Sequence, residues 1–201
     1  MKNTTRELVT LAVFGTLWGV VEISLGSVLH GINIPMTGLV LAAVGLMIAL
    51  IGRAFVPKRG STIFVGVIAT ILKLFSIGAI IIGPMIGILA EALIAELVLS
   101  IFGRPTRASF IWAGMLGVLW TLVQPFVTGL LLFGRDLLSV WLEMLESGGR
   151  LFGLGTQAMV WIFGALLLMH LAVGALAGWL GWSLAGSINS RLGRNATPVV
   201  K

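Results

Sequence analysis

The chain has 201 residues, 58% of them hydrophobic and only 10% charged, with a net charge of +6, no Cys and two His. Its mean hydropathy is +1.11, and soluble domains carry about 25% charged residues, so the composition implies a polytopic membrane protein in one domain, residues 1–201. Disulfides, thiolate metal sites and Cys nucleophiles are excluded, two His make no metal cluster, and no soluble basic surface exists for nucleic acid.

Six apolar segments are long enough to cross about 30 Å of hydrocarbon at about 1.5 Å per residue. They are Leu8–Leu29, Met36–Phe55, Thr62–Ile82, Met85–Phe102, Phe110–Leu132 and Thr156–Leu184. The fold expected is an all-α membrane bundle of six transmembrane helices. The N-terminal stretch begins like a secretory signal, but its apolar run continues past Glu22 to Leu29 without a small-residue cleavage site. It reads as an uncleaved first span. Only Gly83-Pro84 is expected to separate the third span from the fourth, which carries Glu91 and Glu96. In a lipid-facing setting each carboxylate would cost about 3 kcal/mol.

Between spans five and six, Leu137, Leu138, Trp141, Leu142 and Leu145 recur at helical spacing, with Ser139, Glu143, Glu146 and Arg150 on the other face. This predicts a short amphipathic helix at the outer interface. Gly148, Gly149, Gly153 and Gly155 follow as a possible hinge. The segment is either a passive interfacial helix or a mobile lid carrying Trp141 and Glu143. Basic residues set the orientation. Lys2, Arg6, Arg53, Lys58, Arg59, Arg104, Arg107, Arg191, Arg194 and Lys201 all fall on one side, and only Arg135 and Arg150 on the other. Both termini are therefore expected in the cytoplasm.

Small residues recur three and four apart along each span: Ala12, Gly15, Gly19, Glu22 and Gly26 in the first, and Gly38, Ala42, Gly45, Ala49 and Gly52 in the second. Equivalent stripes run through Gly66, Ala69 and Lys73, through Gly83, Gly87 and Glu91, through Gly114, Gly117, Thr121, Gln124 and Thr128, and through His170, Gly174 and Gly181. Such faces pack against other helices. The polar residues on them should face helices or a cavity, not lipid. Glu22, Glu91, Gln124 and Gln157, floored by Lys73 and His170, are thus expected to form a polar pocket open to the outside. Trp161, Trp141 and Trp120 are available for stacking or cation–π contacts. The plainer alternative is that these groups form interhelical ion pairs, such as Lys73 with Glu91 or Glu96. Three intramembrane carboxylates against one Lys leave excess negative charge, so either a carboxyl is neutral or the ligand is a cation or strong hydrogen-bond donor. Glu96 lies well round the helix from Glu91 and deeper, which suits an ion pair or a partner contact.

No P-loop, G-x-S-x-G or H-E-x-x-H motif occurs, and His30 and His170 lie at different depths, which argues against a shared haem. Neither a catalytic constellation nor a cofactor site is apparent, so the chain is not expected to be an enzyme.

Six spans in about 200 residues, cytoplasmic ends, the small-residue face of span one and the stretch IGPMIGILAEALIAE together resemble the substrate-binding S-components of energy-coupling factor transporters. The resemblance implies a prokaryotic cytoplasmic-membrane protein whose outer connections cap a vitamin-sized pocket. It implies docking of Ala12, Gly15 and Gly19 on a transmembrane T-component served by two ATPases. It also implies a ligand contact for Glu91, as in the thiamine-binding branch, which gives a slight preference for thiamine or its pyrimidine moiety. Two other readings remain. One is a standalone proton- or ion-coupled carrier using Glu22, Lys73, Glu91 and His170; the other is a non-transport membrane anchor subunit.

Overall fold

The computed structural model describes residues 2–32, 35–76, 82–134, 136–155 and 158–195. Among them are seven helices and no strand: α1 (Lys2–Gly31), α2 (Thr37–Phe55), α3 (Ser61–Lys73), α4 (Ile82–Phe102), α5 (Arg107–Phe133), α6 (Leu137–Phe152) and α7 (Met159–Asn195). Five helices, α1, α2, α4, α5 and α7, are long and apolar enough to cross a membrane. All regular structure among the described residues is helical, and the long apolar helices are those of a multi-pass membrane protein.

The third expected span differs. α3 has 13 residues, about 20 Å, well short of the hydrocarbon thickness. After Lys73 the backbone tightens, with Leu74, Phe75 and Ser76 donating to the carbonyls of Ile71, Leu72 and Lys73. Gly83-Pro84 is not the connection. Both residues lie in the first turn of α4, where a proline's missing N–H is tolerated.

α2 is the central helix. It contacts α1, α3, α4, α5 and α7, which follow one another around it as α1–α3–α4–α5–α7, while α6 rests on α5 and α7. The small-residue stripes explain the close packing. A Cβ on Gly114 of α5 would strike the Gly174 carbonyl of α7, and one on Gly178 would strike the Phe110 carbonyl. Glycine is required there because two backbones touch. Leu46, Leu50, Leu99, Phe110 and Val118 fill the core between α2, α4 and α5.

The helices alternate in direction, so the bundle has two distinct ends. One gathers Arg53, Lys58, Arg59, Arg104 and Arg107, the last four in or beside short connections. There α5 starts on a reciprocal cap, in which Thr106 Oγ1 accepts from the Ser109 amide and Ser109 Oγ accepts from the Thr106 amide. The other end carries the late turns of α1 and α5, the starts of α2, α4 and α7, and α6.

The amphipathic segment does fold as a helix, α6, capped by Asp136 Oδ1 accepting from the Ser139 amide at 2.6 Å. Two of its four glycines lie inside the helix. Gly148 lies against Ile162 and Leu166, and Gly149 against the Leu154 carbonyl, so both are packing residues inside the helix. Gly153 ends it with φ 65°, the left-handed conformation glycine adopts without strain.

Candidate functional site

At the end of the bundle opposite the basic connections lies a cavity of about 350 Å³. That is the size class of small-molecule sites. Five helices build its wall. α1 contributes Glu22, α2 contributes Gly38, Leu41 and Ala42, and α3 contributes Lys73. α4 adds Pro84, Gly87, Ile88 and Glu91, and α5 adds Thr121, Gln124, Pro125 and Thr128. Four residues expected in a polar pocket from their stripe positions, Glu22, Lys73, Glu91 and Gln124, therefore line one cavity.

Their states differ. Lys73, at the last turn of α3, donates to Glu22 twice, to Oε2 at 3.1 Å and to the backbone carbonyl at 3.0 Å. Gly26, one turn beyond Glu22, lies beside this pair, and a Cβ there would stand 3.6 Å from Lys73 Nζ, an ordinary contact. The partner of Lys73 is thus Glu22, not Glu91 or Glu96. Gln124 Nε2 donates to the Gly83 carbonyl at 2.8 Å, tying α5 to the first turn of α4. Gly87 makes that geometry possible, because a Cβ there would come within 2.6 Å of Gln124 Oε1.

Glu91 is the exception. It is 4% exposed, and its Oε2 has no hydrogen-bond partner. Among the described residues no cation pairs with it. The two cations buried in the bundle are both engaged, Lys73 with Glu22 and Arg53 with Glu96. An unpartnered buried carboxylate is costly, and here it borders open volume.

Glu96 sits elsewhere. Five residues further along α4, it is turned about 140° round the helix. Its Oε1 lies 3.4 Å from Arg53 Nη2 and accepts from Ser100 Oγ at 3.2 Å, and its Oε2 accepts from the Thr62 amide at 3.0 Å. It joins α2, α3 and α4 toward the basic end. Arg53 belongs to α2 and is 3% exposed, so this basic residue is a core residue and not part of a connection. The signal was there: Arg53 lies four residues after Ala49, on the small-residue stripe of α2.

Other expected site residues are not brought to the cavity. His170 is buried in α7 with Nδ1 donating to its own Leu166 carbonyl at 2.6 Å. Trp161 is 77% exposed on α7. Trp141 is held between α5 and α7, with ring centroids 6.1 Å from Phe126 and 5.1 Å from Phe163, and Glu143 is exposed on α6. Neither lines the cavity. Gln157 lies outside the described residues. The expected docking face of α1 is covered from within: Gly15 abuts Ile68 and Gly19 abuts Leu72 of α3, and Ala12 is half-buried. Pro125 is a lining residue that the sequence pattern did not single out, as are Leu41 and Ile88. A proline beside Gln124 inside an apolar span was its signal.

The chain matches no protein-family model, no curated protein sequence and no solved structure.

Proposed function

We propose that the protein captures a water-soluble, positively charged small molecule in the Glu91 cavity, acting as the substrate-binding membrane subunit of an importer of the energy-coupling factor type. The observation that carries this reading is Glu91, a buried side chain lining a ligand-sized cavity, whose Oε2 has no hydrogen-bond partner among the described residues. A cation entering the cavity supplies the missing charge. In this reading the third apolar segment completes a six-helix arrangement with both termini in the cytoplasm, the cavity opens outward, and α6 lies at the outer interface. The protein itself performs no chemistry. A T-component and two ATPases drive release, and docking takes place on a face other than Gly15 and Gly19, which α3 covers. A thiamine-like ligand gains no stacking here, because no aromatic side chain is among the described lining residues.

The test is a thermal-stability screen of purified protein against water-soluble vitamins and cationic precursors. A ligand at about 100 times its dissociation constant stabilises by about 2.7 kcal/mol. The shift should vanish in Glu91→Gln. No shift with any cation, and no copurifying T-component, would refute the reading.

A second reading has a specific observation behind it. Glu91 shares its cavity with the Glu22–Lys73 pair, the arrangement a carrier needs if a proton replaces the cation on Glu91. Uptake into proteoliposomes that needs no ATPase and collapses with an uncoupler would select it over the first.

A further inference from the structure

The cavity's hydrogen-bonding inventory narrows the ligand beyond its charge, and this narrowing rests on the cation-capture reading above. Donors in the wall are largely used. Lys73 gives two of its three N–H groups to Glu22, and Gln124 Nε2 donates to Gly83. The hydroxyl protons are turned away as well, Thr121 Oγ1 donating to the Val118 carbonyl and Thr128 Oγ1 to the Gln124 carbonyl, each at 2.9 Å. Acceptors remain: Glu91 Oε2, the oxygen of Gln124 and the threonine oxygens. Pro125 adds another. It lies inside α5 and has no N–H for the carbonyl four residues earlier, that of Thr121, and both residues line the cavity. The proline thus removes the usual amide partner of a backbone carbonyl belonging to a residue in the same wall as the unpartnered carboxylate. Aromatic rings, which recognise quaternary ammonium groups through their faces, are absent from the described lining.

We infer that the ligand is a cation rich in N–H donors, a primary ammonium, amidinium or guanidinium, held by Glu91 and by the Thr121 carbonyl, whose helical amide partner Pro125 removes. Quaternary ammonium compounds are discriminated against, because they present charge without donors.

The experiment measures binding to the full chain in nanodiscs by calorimetry, with butane-1,4-diamine, butylguanidine and N,N,N-trimethylbutylammonium as probes. Both N–H probes should bind, and the trimethylated probe should bind roughly 10- to 100-fold more weakly, the range for losing hydrogen bonds to a charged group. Glu91→Gln should weaken all three, leaving the N–H probes only the smaller preference that the Thr121 carbonyl confers. Pro125→Ala restores an N–H to the Thr121 carbonyl, so it should fold at least as well and weaken the N–H probes by about tenfold, while the trimethylated probe stays unchanged. Equal binding of all three in the parent protein, lost in Glu91→Gln, would overturn the donor requirement and leave cation capture standing. Unchanged affinities in Pro125→Ala would overturn the role of the Thr121 carbonyl. No binding of any probe to the parent protein would overturn both.

Discussion

Glu91 and Glu96 sit five residues apart on one helix, equally buried, and their surroundings are opposite. Glu96 has a guanidinium, a backbone amide and a hydroxyl arranged around it. Glu91 has open volume and an oxygen with nothing to accept from among the described residues. A carboxylate fully provided for by its own chain holds helices together. One left incomplete beside a cavity marks where something from outside finishes the site. Burial alone does not separate the two, and the inventory of partners does.

The largest expected effect tests the structural half of this contrast. Glu96→Ala leaves Arg53 buried, uncompensated and beside an unpaired Thr62 amide at the start of α3. Breaking such a pair costs about 3–5 kcal/mol. Denaturant unfolding in detergent should register that loss, whereas Glu91→Gln should change stability by less than about 1 kcal/mol, since it removes an unpaired charge without changing shape. The contrast sharpens in the double variant Arg53→Met with Glu96→Leu, in which no charge is stranded and most of the stability should return. Equal destabilisation by Glu96→Ala and Glu91→Gln would break the comparison.

Lys73→Met comes next. It strands Glu22 as Glu96→Ala strands Arg53, and should cost about 3 kcal/mol. It differs in one respect, because Glu22 lines the cavity. A second unpaired carboxylate should raise affinity for a dication relative to a monocation. Calorimetry with butane-1,4-diamine and butylamine checks this, and an unchanged ratio would place Glu22 outside the ligand's reach.

The stripe of small residues made much of this site legible. Glu22, Lys73, Glu91 and Gln124 stand three or four residues from Gly19, Ala69, Gly87 and Thr121, and helical geometry does the rest, because small faces turn inward. Three things escaped. The length of α3 did not follow from hydropathy, since Ile77 to Ile82 are as apolar as any span and only the turn after Lys73 ends the helix. The pairing of Lys73 was open because periodicity fixes a residue's face but not its neighbour on another helix. The α1 glycines were assigned to an outside partner for the same reason: a small face says that something packs there, and here it is α3. Trp161 and His170 share that ambiguity, for one lies on the outside of α7 and the other satisfies itself against Leu166.

The smallest effects come from two glycines that line the same cavity from different walls. Gly87→Ala pushes a methyl against Gln124 Oε1, so the bond from Gln124 to Gly83 must loosen. Losing that bond costs about 1 kcal/mol, and cation affinity should fall by roughly fivefold as the α4–α5 wall shifts. Gly38→Ala meets nothing within 4 Å. It should stabilise the protein by about 0.4–1 kcal/mol through lost freedom in the unfolded chain, with affinity nearly unchanged. The pair locates the ligand within the cavity. A ligand held by Glu91 and the α5 wall feels Gly87 and ignores Gly38, whereas one that fills the volume across to α2 loses affinity to the methyl at Gly38 as well. Equal losses at the two positions would move the binding surface from α4 and α5 to the whole cavity, and Glu91 would then act through charge without fixing the ligand's position.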